Sequence, residues 1–193
     1  MYYKEHLPII NRTDLVNNID ETLVCEIRLR NKKIFIVLSY RPPSNSTVNQ
    51  ISEYCNKLSS LIETIRIAKP AAVVLRGDFN VRSPLFWDHE TLENAAGKKL
   101  SDFMILNSLE QLINEHTHFP REEIATCIDL LFTDQAYAFS NSGVIPSPDP
   151  KCKHHLINGN INFCVPCPPP YKRIVWDYDK ADVHKNRSRP LRY

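Results

Sequence analysis

Residues 71–80 read AAVVLRGDFN. An apolar run that breaks off in Gly-Asp-Phe-Asn is the pattern of a buried strand delivering polar side chains at its C-terminal end. Gly77 permits a tight backbone at the exit. Asp78 and Asn80 stand two apart and project to the same side if the chain stays extended. A carboxylate beside a carboxamide on a rigid strand end can orient a water and accept its proton. The same tetrapeptide also suits a plain strand-to-loop exit built from Asx turns.

Working outward, the preceding stretch is helical. Val48, Ile51, Cys55, Leu58, Ile62 and Ile65 recur at spacings of three and four, Ser46 or Thr47 can cap the start, and Lys69-Pro70 follows the end. Its apolar face should lie on a sheet. Further back, residues 21–30 (ETLVCEIRLR) alternate, with Leu23, Cys25, Ile27 and Leu29 facing one way and Thr22, Val24, Glu26 and Arg28 the other. A short turn at 31–33 leads to a more buried strand at 34–40, so the two form an antiparallel hairpin, which Arg41-Pro42-Pro43 ends. Residues 1–10 suit a short edge strand and a loop.

On the other side, a polar loop through Glu93 leads to a second helix at about 96–107, with Leu100, Phe103, Met104 and Asn107 inward. Short strands are expected at 109–113, 126–133 (TCIDLLFT, carrying Asp129), 142–145 and 156–163. The organisation is one domain over 1–164 and a Pro-rich linker with a basic tail over 165–193. Strands alternating with two crossover helices, plus hairpins, predict an α/β layered domain with helices flanking mixed sheets.

The 193 residues are 42% hydrophobic and 24% charged, the composition of one ordinary globular domain. A net charge of +2 gives no bulk attraction to nucleic acid. No apolar stretch approaches the roughly 20 residues that span a bilayer, and the N-terminus lacks a signal-peptide core. Six cysteines without such a signal imply reduced thiols. The expected location is therefore nuclear or cytoplasmic, not secreted.

Tyr40, Asp78, Asn80, Asp129 and His154 all interrupt apolar strands or mark their ends. An Asp inside Cys127-Ile128-Asp129-Leu130-Leu131 is costly unless paired, and strand ends converge on one rim of a sheet. With these residues in place, the chain resembles the endonuclease/exonuclease/phosphatase superfamily, in the form that non-LTR retrotransposons carry ahead of their reverse transcriptase. The matching pieces occur in the family's order: SYRPPSNS (39–46), VVLRGDFNVRSPLF (73–86), NAAGKKLSDFM (94–104), INEHTHFP (113–120), CIDLLFTD (127–134) and HHLI (154–157). The segment PPPYKRIVWDYDKAD (168–182) is similar to the connector that follows such endonucleases.

The resemblance implies a DNase I-like four-layer α/β sandwich, partial in this chain, and Mg²⁺-dependent hydrolysis of DNA, with Mn²⁺ as a substitute ion. It assigns activation of the attacking water to Asp78, phosphate binding to Asn80 and Tyr40, the buried acidic position and a metal ligand to Asp129, and stabilisation of the pentavalent phosphate to His154. Arg41, Ser83 and Trp87, in or beside the matching pieces, would contact substrate. DNA and a C-terminal reverse transcriptase are the implied partners, with no membrane.

Two departures bear on activity. The family's N-terminal strands, which carry the main metal-holding Glu, have no match here; Glu21 and Glu26 do not correspond to it. The family's Ser-Asp-His triplet reads Cys152-Lys153-His154, placing a cation where an acid should orient the imidazole. The expectation is a remnant of an endonuclease, weak or inactive, with its metal site weakened or lost. Three other readings remain: a catalytically dead nucleic-acid-binding module using the basic aromatic tail, a small-molecule phosphatase or phosphodiesterase of the same superfamily, and a zinc site from Cys152, His154, His155, Cys164 and Cys167.

Overall fold

The computed structural model describes residues 7–16, 19, 21–43, 47–86, 90, 92–121 and 124–163. Its strands are β1 (Ile9–Asn11), β2 (Thr22–Leu29), β3 (Lys32–Ser39), β4 (Ala72–Asp78), β5 (Glu110–Gln111), β6 (His118–Arg121), β7 (Ile124–Thr126), β8 (Asp129–Thr133), β9 (Phe139–Ile145) and β10 (Leu156–Ile161). The helices are α1 (Val48–Ile67) and α2 (Ala95–Leu106). A six-stranded mixed sheet in the order β1-β2-β3-β4-β8-β5 forms the frame, joined by the two-stranded ribbons β9–β10 and β6–β7.

The hairpin β2–β3 pairs over its whole length, from Thr22 against Ser39 to Leu29 against Lys32. The chain then crosses over through α1 and returns as β4, parallel to β3. Thr47 caps α1 in a capping box with Gln50, satisfying N–H groups that the first helical turn leaves open. Ile51, Cys55, Leu58, Leu61, Ile62 and Ile65 bury its inner face, whereas Val48, expected inside, is exposed. In α2, capped by Asn94, Leu100, Phe103 and the C-terminal Asn107 are buried as the periodicity predicts. The Asn107 side chain donates to Ser59 Oγ at 3.0 Å, tying the second helix to the first.

The sheet has two distinct faces. Phe35, Val37, Val73, Leu75 and Phe132 are fully buried on the helix side, which is fixed by the hydrogen bond between Ser39 Oγ and Tyr54 of α1 at 2.8 Å. On the other face, β10 approaches Leu131 through Gly159, while Leu23, Leu38 and Arg76 remain only half-buried. The layers observed are thus helices, the large sheet and a small ribbon.

Three local expectations are corrected. The alternation in β2 suggests a polar face made of Thr22, Val24, Glu26 and Arg28, yet that is the face turned to the core. Glu26 is 1% exposed because Arg12 (2.6 Å) and Arg28 (2.8 Å) both neutralise it. A single strand over 126–133 is instead two strands separated by Cys127 and Ile128; the chain leaves the partner β6 and joins β4 there. The segment 118–121, unassigned from its pattern, forms β6, since β7 supplies its partner. No helix among the described residues is long and apolar enough to cross a membrane.

Candidate active site

The stretch 71–80 does most to position the chemistry. Gly77 lies so close to β3 that a Cβ there would sit 1.7 Å from the carbonyl oxygen of Ser39. The two residues after it, Asp78 and Phe79, take opposite faces, as a pleated backbone requires. Phe79 is fully buried and meets Phe132 edge-on at 5.5 Å, while Asp78 faces the other side and pairs in register with Asp129 of β8.

The strand ends at Asp78, and the side chain of Asn80 still reaches the Asp78 carboxylate, from a turn rather than from an extended chain. Asn80 adopts a left-handed backbone (φ 49°), which Asn tolerates better than most residues. Its N–H donates to Asp78 Oδ1 at 3.0 Å, and its side-chain Nδ2 donates to the Arg41 carbonyl at 3.0 Å. The Asx turn is real, and it holds the Asp78 carboxylate in place.

His154 arrives from the segment before β10. Its Nδ1 lies 3.0 Å from Asp129 Oδ2. The acid that orients the imidazole is therefore Asp129, from a different strand, so the lysine at position 153 does not deprive His154 of a partner. Ligand atoms of Asp78, Asp129 and His154 all lie within 4.8 Å of one another, each on a half-buried residue. Burial, then the charge of Asp129, pushes the Asp78 carboxyl above its ordinary pKa.

Two residues of the INEHTHFP piece to which the sequence reading gives no catalytic role, His118 and Thr117, complete the cluster. The His118 ring stacks on that of His154, with centroids 4.4 Å apart, and its Nδ1 is 3.3 Å from Thr126 Oγ1. Burial, then His154, lowers the His118 pKa, which favours a neutral ring beside the one held by Asp129. Thr117 is fully buried. Its Oγ1 accepts from the N–H groups of Ile128 (3.1 Å) and Asp129 (3.0 Å), while its carbonyl accepts from His155 N–H at 2.7 Å. One threonine thus satisfies the backbone where the strand breaks and sets Asp129 beside His154. The signal available was the INEHTHFP match at 113–120, in which the histidines flanking Thr117 read as structural. Thr117→Val, nearly isosteric, would leave two buried N–H donors unsatisfied and should cost roughly 2 kcal/mol or more. The check is a lower urea midpoint at unchanged slope.

The residues expected to contact substrate divide differently. Tyr40 is 42% exposed and shares an open cleft of about 560 Å³ with Asp78, Arg76, Glu21, Leu23 and Leu38. Arg41 is buried: its Nε donates to the Phe79 carbonyl and its Nη2 to the Asn80 carbonyl, both at 2.6 Å. It braces the loop through these carbonyls and also lines a smaller pocket beside Tyr40 and Glu21. Ser83 is also buried, donating to Glu93 at 3.0 Å and accepting from Ser101 at 3.1 Å, a structural role. Trp87 lies outside the described residues, as do Cys164 and Cys167 of the zinc reading. Cys152 is exposed and its Sγ donates to the His154 carbonyl at 3.2 Å. A larger groove of about 620 Å³ runs along α1 past Asn56, Lys57 and Ser60 but contains no residue of the acidic cluster.

A rigid pair of carboxylates, one orienting an imidazole and the other poised to take a proton, can activate water and support a centre that gains negative charge. The fold is a shared one. The endonuclease domain of TRAS1, a telomere-specific non-LTR retrotransposon, superposes with a TM-score of 0.68 at 20% identity, covering 83% of this chain and 71% of that one. The 3′ phosphatase NExo from Neisseria, solved with a product DNA hairpin, superposes with a TM-score of 0.57 at 9% identity, covering 80% and 70%. At such identities the likeness establishes the architecture alone. No curated protein matches the sequence. A family model described as endonuclease-reverse transcriptase matches residues 34–157, which hold Tyr40, the Asp78 strand end, Asp129 and His154. The chain therefore belongs to the endonuclease-reverse transcriptase family and has the DNase I-like fold of the endonuclease/exonuclease/phosphatase proteins.

Proposed function

We propose that this chain carries a DNA endonuclease site that hydrolyses a phosphodiester bond, with low activity in the chain by itself. The observation behind this reading is the convergence of Asp78, Asp129 and His154 within 4.8 Å at the ends of two paired strands. In this reading Asp78 orients the attacking water and accepts its proton. With Nδ1 of His154 facing Asp129, Nε2 is left for the phosphate, where an N–H donor would support the oxyanion that develops. Tyr40, on the cleft wall, positions the phosphate.

Two carboxylates offering hard oxygen donors fit Mg²⁺ or Mn²⁺. Asp78 and Asp129 would hold such an ion, which when bound supplies Lewis-acid polarisation of the phosphoryl oxygen. Low activity follows from the donor set: among the described residues the cluster has two acids, and one of them is already engaged by His154. DNA is the proposed substrate, and a reverse transcriptase following the chain is the proposed partner, in keeping with the family's description.

The test is nicking of supercoiled plasmid by purified protein in Mg²⁺ or Mn²⁺. Slow nicking that EDTA abolishes is expected. Because Asp129 already orients His154, Lys153→Asp should change the rate by no more than about threefold. Absence of nicking with either ion would sink the proposal.

A further inference from the structure

We infer that Arg76 is a backbone-phosphate contact of this cleft, binding a phosphate beside the bond that the Asp78 cluster would cut. This rests on the reading of the site as a nuclease. Arg76 and Asp78 are two residues apart on β4 and share a face, about 6.6 Å apart along the strand. Arg76 stands in register with Leu38 of β3 on one side and Leu131 of β8 on the other, and Leu23 follows beyond Leu38. The arginine is thus half-buried among leucines on the wall of the cleft that holds Asp78 and Tyr40.

The other arginines drawn into the domain have acceptors. Arg12 and Arg28 hold Glu26, Arg41 holds the Phe79 and Asn80 carbonyls, Arg66 donates to the Asn107 carbonyl, and Arg82 pairs with Glu90. Arg76 differs. Among the described residues no hydrogen bond or ion pair reaches its guanidinium, which feels Asp129 only at longer range. Burial accordingly lowers its pKa from the ordinary value.

Placing a cation among leucines without an acceptor costs stability, and a hydrophobic residue of similar length would do better there. What the position offers instead is a planar fork of donors opening on the cleft, matched to two phosphate oxygens. It also supplies positive charge where Asp78 and Asp129 alone would repel an anionic backbone. The cation on the wall of this cleft is therefore Arg76, while Arg41, the arginine picked out from the sequence, holds the loop carbonyls beneath.

The experiment measures affinity for a short fluorescent DNA duplex in EDTA, across a range of salt, for the wild type, Arg76→Met and Arg76→Lys. The expected result for Arg76→Met is about tenfold weaker binding with the salt slope reduced by about 0.9, the loss of one phosphate contact. Arg76→Lys should keep the slope. The melting temperature of Arg76→Met should be equal to or above that of the wild type, because Met suits the leucine surroundings; a merely structural arginine would lower it. Unchanged affinity and slope in Arg76→Met, or no DNA binding by the wild type, would overturn the inference. Nicking distinguishes the two ideas: Arg76-dependent binding without nicking defeats only the nuclease reading, and nicking with Arg76-independent binding defeats only this one.

Discussion

Asp129→Asn and Asp78→Asn should each lower plasmid nicking by about 10³-fold or more, for different reasons. An amide at position 129 loses the charge that holds His154 Nδ1 at 3.0 Å, and its NH₂ can turn the imidazole to the wrong tautomer. An amide at position 78 cannot accept the proton of water, although it can still accept the Asn80 N–H that shapes the turn. Stability separates lost chemistry from lost structure. The Asp78 carboxyl has a raised pKa, from burial first and the charge of Asp129 second. The native state therefore binds that proton more tightly than the unfolded chain. Stability falls as pH rises from the ordinary carboxylate value through the raised one, and the deficit persists at neutral pH. Asp78→Asn removes it, so in EDTA at neutral pH the variant should melt above the wild type while failing to nick. Added Mg²⁺ should raise the melting temperature of the wild type and not of the variant. A variant that melts lower than the wild type in EDTA would contradict the electrostatic account.

Gly77→Ala should be the most damaging single substitution for the fold, costing about 3 kcal/mol or more and lowering the melting temperature by about 10 °C. Two terms act together. The backbone at Gly77 lies at φ 154°, which L-residues rarely adopt, and the new methyl would lie 1.7 Å from the Ser39 carbonyl oxygen. That oxygen belongs to the main chain of β3, so relief requires β3 and β4 to separate where Tyr40 and Asp78 meet. Gly143→Ala is the control. Its Cβ would meet the flexible end of Glu115 at 2.9 Å, and the loss should stay within about 0.5 kcal/mol. Equal losses at both positions would refute the close-approach argument.

Much of this protein was legible in advance because local chemistry enforces it. The two helices follow from apolar spacing, and the cap of the first at Thr47 from a short side chain that accepts an N–H bond, whereas the cap of the second at Asn94 came from the structure. The β2–β3 hairpin follows from alternation broken by a turn. The motif pieces, read in order, indicated the family, and Asp78, Asp129 and His154 stood out as polar residues among apolar strands. Less legible were the positions whose role depends on what lies across from them. Glu26 is buried because Arg12, distant in sequence, covers it. Arg41 and Ser83 have the composition of substrate contacts but serve the loop backbone and the core.

The sequence by itself determined the elements and the inventory of reactive groups, since periodicity, capping and strand-end polarity are properties of neighbouring residues. Only the tertiary structure decided how those groups pair. Antiparallel register sets Asp78 opposite Asp129, the break at Cys127–Ile128 lets Thr117 hold the turn, and the approach of the segment before β10 brings His154 to Asp129 and onto His118. The residue before the histidine is its neighbour in the chain, but hydrogen bonding depends on distance and direction in space, and there its partner is Asp129.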